Sequence, residues 1–192
     1  LGIAYDDFFK QSENLVKYEK AKEQLITSGR LYECFESEEE IKMQRKMQVA
    51  SGQRPIYNRA ALQLTDEQKQ NFKDQGYKPY YRFLLEDKVI SWEDELKGKV
   101  TFDGCSFSDP VLIRENGIPT YTFCSVVDDI DYNISHIMRG EDHITNTAIQ
   151  IQIFQALGGV EPIFIHFPLI KHNSGKISKR IGGFDIKSLR EE

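Results

Sequence analysis

Apolar positions in the first third of the chain repeat at helical spacing. Leu15, Tyr18 and Leu25 share one stripe between Ser12, suited to capping a helix start, and Gly29, suited to ending one, which predicts a helix over 12–28. Ser37 with Glu40 is a capping-box pattern and predicts a helix to about Ala50, closed by Gly52. Thr65 with Gln68 repeats it for a short helix ending near Gly76. The rhythm then shortens. Residues 80–85, 89–92, 99–102 and 111–114 read as strands, and Asn116-Gly117 marks a tight turn leading into 118–123, so this block predicts a small antiparallel sheet with helices. Residues 120–127 form a nearly continuous apolar run closed by Asp128 and Asp129, as in a strand buried on both faces. Thr145 or Thr147 is placed to cap a helix carrying Ile149, Ile153, Ala156 and Leu157 and ended by Gly158 and Gly159. Residues 163–170 then read as a second buried strand. Strand, helix, strand predicts a parallel α/β sheet, in which ligands lie beyond the strand C-termini. The loop SGKISKR, 174–180, follows the second strand at that place.

Composition permits this reading. A chain of 192 residues, 40% hydrophobic and 11% aromatic, can bury a core as one sizeable domain or two small ones. No apolar run reaches the roughly 20 residues that span a bilayer, and no signal peptide is evident, so no membrane partner is expected. Cys34, Cys105 and Cys124 lie far apart without a CxxC pair, which argues against a disulfide framework and fits a reducing cytosol, hence a cytoplasmic protein. The chain opens LGIAYDD and ends KSLREE, and both ends read as cuts through a longer protein.

The net charge of −5 gives no reason to expect a nucleic-acid partner, but the local distribution does. Residues 33–40 hold five acids and no base, and residues 41–59 hold five bases and no acid. Lys42, Arg45, Lys46, Arg54 and Arg59 could form a phosphate-binding face or simply a solvated helix face.

Three stretches carry a family resemblance: YTFCSVVDDIDYNISHIMRGEDHITNT (121–147), IHFPLI (165–170) and SGKISKR. In this order and spacing they resemble the second half of the catalytic domain of class I glutamyl-tRNA synthetases. Residues 11–35 resemble the stretch where that family leaves its nucleotide-binding fold. The resemblance implies an α/β Rossmann-type core, residues 1–30 and 120–192, split by an α+β acceptor-binding insertion, residues 31–119. It further implies a monomeric parent enzyme whose partners are L-glutamate and the acceptor end of tRNA(Glu), with ATP and Mg2+ as cofactors. Glutamate and ATP would give glutamyl-adenylate and pyrophosphate, and the glutamyl group would pass to the terminal ribose. Catalysis is then positioning and charge stabilisation at phosphorus. Lys176, Lys179 and Arg180 would close cations over the phosphates, with Lys179 foremost, Ser178 shaping the loop, and Gly175, Gly182 and Gly183 as hinges. Tyr121 and Arg139 would line the glutamate pocket, Arg139 as a planar fork for a carboxylate. His143 and Leu169 would lie toward the nucleotide, and Asp128 and Asp129 would organise the sheet end.

Two departures stand out. Many bacterial relatives bind zinc through C-x-C followed by Y-x3-C, whereas the corresponding positions here read Cys34, Glu36, Tyr57 and Ala61. One thiolate does not build a tetrahedral sulfur site, so no zinc is expected. The family's H-x-G-type ATP turn is also absent and is expected upstream of Leu1, with anticodon-reading domains after Glu192. The competing readings are an idle acceptor-binding paralogue and glutaminyl-tRNA synthetase. RGED rather than RGAD argues against the shorter paralogue that modifies a tRNA base, and Arg139 argues for an anionic substrate side chain.

Overall fold

The computed structural model describes residues 4–169 and the short strand pair 171–172 and 175–176. Helix α1 (Leu15–Thr27) starts at Asn14, because residues 11–13 form a separate 3-10 turn that takes Ser12 out of the helix. Tyr18, Ala21 and Leu25 face the core, but Leu15 is 59% exposed, so the apolar stripe begins a turn later than its sequence suggests. Strand β1 (Leu31–Cys34), which the apolar pattern did not signal, follows. Helix α2 (Glu38–Ala50) makes both hydrogen bonds of its capping box through Ser37 and Glu40. Helix α3 (Asp66–Asp74) does the same through Thr65 and Gln68.

Four strands of the middle block form, as β2 (Tyr80–Phe83), β3 (Val89–Asp94), β4 (Gly98–Asp103) and β5 (Val111–Ile113), but they divide between two sheets, and after the turn at Asn116-Gly117 only Pro119 pairs, as an isolated bridge to Ile113. One sheet runs β1-β2-β5 and is antiparallel. The other takes the β3–β4 hairpin into the parallel layer.

Residues 120–127 correct the strand expectation: they open helix α4 (Tyr121–Asp131), with Thr120 at its N-cap. Phe123, Val126 and Val127 fall on one helical face and are buried, while Tyr121 is 51% exposed. The parallel partner is instead β6 (His136–Gly140), which runs into α5 (Ile144–Leu157) and then β7 (Ile163–Phe167). β6 and β7 pair in parallel from His136↔Ile163 to Gly140↔Phe167, and β3 joins the far side of β7 at Asp94↔Phe164, giving the order β4-β3-β7-β6. Neither Thr145 nor Thr147 caps α5; His143 stands there, and Gly158 closes the helix in the left-handed conformation at φ 71°. Two-residue strands β8 (Lys171–His172) and β9 (Gly175–Lys176) pair antiparallel.

One core runs through both sheets. Leu25 of α1, Leu31 of β1, Phe83 of β2, Trp92 of β3, Leu112 of β5, Phe123 of α4, Ile151 of α5 and Phe164 of β7 belong to one cluster. A smaller cluster around Cys34, Tyr57 and Ala61 stands apart.

Candidate active site

Arg139 sits near the C-terminal end of β6, where the parallel layer presents its strand ends, and its neighbours hold it on three sides. Nε donates to His166 Nε2 at 3.3 Å, and Nη2 donates to Thr147 Oγ1 at 2.5 Å and to Gln150 Oε1 at 2.7 Å. A guanidinium has five N–H donors, so two remain, both on Nη1. Nη1 lies 3.5 Å from the Tyr121 hydroxyl on α4. The end of β6 thus offers an Nη1 N–H and, beside it, a phenol O–H. This differs from the planar two-nitrogen fork expected from sequence, because Nη2 and Nε are already used.

A second chain of bonds fixes the same arrangement. Gln150 Nε2 donates to Ser125 Oγ at 2.7 Å, and Ser125 donates to the Tyr121 carbonyl at 2.8 Å. His143, in the 3-10 turn between β6 and α5, sets its ring edge-on to Tyr121, with centroids 5.8 Å apart, and Asn146 lies 3.2 Å from its Nδ1. Leu169 comes to the end of β6 as well: its backbone N–H donates to Glu141 Oε1 at 3.3 Å. A Cβ added at Gly140 would meet Asp142 Oδ1 at 2.6 Å and Leu169 Cδ2 at 3.3 Å, the far ends of two side chains that would have to shift. Tyr121, Arg139, His143 and Leu169 are therefore gathered around the end of β6. Lys179 and Arg180 lie outside the described residues, as do Ser178, Gly182 and Gly183; the backbone of Lys176 is in β9, and its side chain lies outside the description.

Asp128 and Asp129 are on α4 and do not terminate a strand, which corrects their expected place. Asp128 is buried and accepts from Gln11 and Asn14 and from the Tyr18 hydroxyl, so it joins α4 to the start of α1. Asp129 is pushed up to about 6, first by burial, with the nearby Arg139 charge working against it and Asp128 adding to it.

The basic residues of 41–59 do not share one role. Lys42 and Arg45 on α2, with Arg82 and Arg114 and the acids Glu36, Glu38 and Glu115, line a groove of about 530 Å³ that reaches Thr120, next to Tyr121. Lys46 is exposed on α2, and Arg54 donates to Ser106 Oγ at 3.0 Å. Arg59 is built into the fold instead. In a left-handed conformation at φ 59°, it donates to both Asp109 oxygens, to the Leu85 carbonyl and to Asp87. A phosphate would have to displace those partners. Arg114 was not signalled by the charge run.

The four positions that correspond to zinc ligands in relatives do come together. Tyr57 Oη donates to Glu36 Oε1 at 2.5 Å, accepts from the Ala61 N–H at 3.1 Å and lies 3.9 Å from Cys34 Sγ. Burial, then Glu36, push the Cys34 thiol up to about 12, so it stays protonated. One neutral thiol and one hydrogen-bonded carboxylate do not fit zinc.

A parallel β-α-β layer with donors at its strand ends is a Rossmann-like arrangement, and the comparisons give its class as that of the class I tRNA synthetases. The chain belongs to that family: the family described as tRNA synthetases class I (E and Q), catalytic domain, matches residues 1–190. Among curated relatives it is 55% identical over 193 residues to glutamate--tRNA ligase 2 of Orientia tsutsugamushi (strain Boryong) and 50% identical over 192 residues to glutamate--tRNA ligase 1 of Rickettsia massiliae (strain Mtu5). In both cases all of this chain is covered, but the chain spans only 43% of the relative's length. The crystal structure of a glutamate tRNA ligase from Elizabethkingia meningosepticum, in complex with its amino acid, superposes with a TM-score of 0.81 at 28% identity, covering 92% of this chain and 37% of that one.

Proposed function

We propose that this chain forms part of a cytoplasmic glutamate–tRNA ligase, which joins L-glutamate to tRNA(Glu) through glutamyl-adenylate at the expense of ATP. The observation that carries the reading is Arg139, tied down at Nε and Nη2 so that Nη1 and the Tyr121 hydroxyl are the two donors left for a carboxylate. Charge-assisted bonds from a preset pair hold an amino acid without the cost of ordering the side chains on arrival. His143 and Leu169, at the same strand end, would border the nucleotide. Lys176, Lys179 and Arg180 would meet its phosphates as negative charge builds at the α-phosphorus. Mg2+ would accompany the nucleotide. In this reading residues 1–30 and 120–192 serve the catalytic core, and residues 31–119 grip the tRNA acceptor end through Lys42, Arg45 and Arg114, with Lys46 and Arg54 at the margin.

The test is glutamate-dependent exchange between ATP and pyrophosphate, run with tRNA(Glu) on the polypeptide that carries these residues. Arg139→Ala is expected to raise the glutamate KM by roughly ten- to a hundredfold, the loss of a bond to a charged group. Lys179→Ala is expected to lower the rate by roughly a hundred- to a thousandfold with little change in glutamate KM. An unchanged glutamate KM in the Arg139 variant removes that residue from the pocket. Glutamine turning over as well as glutamate would favour the glutaminyl branch of the family.

A further inference from the structure

We propose that Asp94 and His166 are positioning residues that aim the Arg139 guanidinium, Asp94 by fixing which ring nitrogen of His166 carries the proton. The proposal rests on the reading of Arg139 as a carboxylate donor. Its geometry comes from three parallel neighbours: Asp94 ends β3, His166 lies on β7 and Arg139 on β6, all near their C-terminal ends.

Both side chains of the pair are fully buried. Asp94 Oδ2 lies 2.5 Å from His166 Nδ1, and the other ring nitrogen, Nε2, lies 2.9 Å from Thr147 Oγ1 and 3.3 Å from Arg139 Nε. An arginine nitrogen only donates, so Nε2 must accept and carries no proton. The ring proton is then on Nδ1, donated to Asp94. Asp94 is held ionised for this task. Burial works to raise its pKa, but hydrogen bonds from the His166 side chain and from the backbone N–H groups of His166, Leu96 and Lys97 outweigh it and leave the pKa lowered. The ring also has Trp92 and Phe164 beside it, with centroids 6.4 and 6.3 Å away.

The opposite tautomer would be costly. With the proton on Nε2, two donors would face each other across the 3.3 Å between His166 and Arg139, and the Thr147 hydroxyl would be left with the His143 carbonyl at 3.3 Å as its acceptor. Arg139 would have to turn, and Nη1 would leave its place beside Tyr121. A carboxylate behind a histidine sets the tautomer of hydrolytic triads in the same way, and exchanging it for an amide leaves the ring in the wrong form. Here the histidine serves an arginine that binds, and no proton moves.

Asp94 also has a structural task, because Oδ1 accepts from Leu96 and Lys97 in the β3–β4 turn. The experiment must separate the two. Asp94→Asn keeps the size and one acceptor for the turn. Side-chain nitrogen NMR of the 192-residue chain is expected to show His166 as the Nδ1–H tautomer, changed in part or whole to Nε2–H in Asp94→Asn. Exchange kinetics on the polypeptide that carries the chain are expected to show a glutamate KM about tenfold higher in Asp94→Asn, with the ATP KM unchanged. In an Arg139→Ala background the same change is expected to add nothing to glutamate KM, since its route runs through the missing guanidinium. An Nε2–H tautomer in the unaltered chain overturns the proposal. So does an Asp94→Asn effect that adds in full to that of Arg139→Ala, or one that lowers stability and leaves glutamate KM alone. Should Arg139→Ala itself leave glutamate KM unchanged, the reading of Arg139 as a carboxylate donor fails, and the NMR result still decides whether Asp94 sets the histidine.

Discussion

Asp128 and Asp129 are adjacent acids with opposite circumstances. Asp128 has three hydrogen-bonding neighbours from the α1 region, whereas burial drives Asp129 up to about 6. Its ordinary value is 3.8, so between about pH 4 and pH 6 the folded chain holds a proton that the unfolded chain has lost. Folding stability must therefore fall as pH rises through this window, and the charged-state penalty is fully present at pH 7. Asp129→Asn is expected to match the unaltered chain at pH 4 and to be the more stable of the two at pH 7. Urea midpoints at pH 4, 5, 6 and 7 check this; a gap that fails to widen with pH rules out titration of Asp129 in that range. Single residues were unevenly legible in the sequence. Tyr121, Arg139 and His143 stood in a motif, but Asp94 did not, because its partner His166 is 72 residues away. The one hint was a histidine inside an otherwise apolar strand.

At the scale of elements, helices with explicit start signals were read well, and the capping boxes of α2 and α3 are formed as their spacing dictates. Helix α4 was misread because β-branched and aromatic residues crowd its sequence. Phe123, Val126 and Val127 recur at three and four, and that spacing outweighs composition. β6 was missed since its sequence, HIMRG, has no continuous apolar run. Helix α2 also changes the meaning of its charges. Glu38, Glu39 and Glu40 occupy the first turn, where the helix dipole favours acids, so their clustering needs no RNA to explain it. The bases are not in the last turn; Lys42 pairs with Glu38 one turn back, whereas Arg45 and Lys46 have no account from the helix dipole. Lys42 and Arg45 share their groove with Arg114. Replacing all three by Gln is expected to weaken tRNA(Glu) binding and to flatten its dependence on log salt by about 0.7–0.9 per lost contact. Affinity measured across a salt series checks it, and parallel lines would remove this face from the RNA.

For the whole molecule, the resemblance conveyed the class of fold, and local pattern conveyed most of the pieces. What neither conveyed was how β3 and β4 are shared: they lie in the middle of the chain yet extend the parallel layer of its last third. Such pairing leaves little trace in sequence, because it depends on which edge is free and not on what either strand contains. No helix among the described residues is long and apolar enough to cross a membrane. The seam between β3 and β7 has a consequence for the order of assembly. The hairpin and the β6-α5-β7 unit each close over short stretches of chain, but joining them waits for residues 72 apart, as with Asp94 and His166. At 5–20 residues per second, a ribosome leaves the β3 edge unpaired for about 4–14 s. Chains stalled with β7 still inside the ribosomal tunnel are expected to exchange freely the Glu95 amide, which donates to the Phe164 carbonyl at 3.1 Å just beyond β3, and chains released beyond it to protect it; protection at both lengths would mean that the edge finds a temporary cover. During synthesis that open edge is the molecule's window for mispairing with another nascent chain.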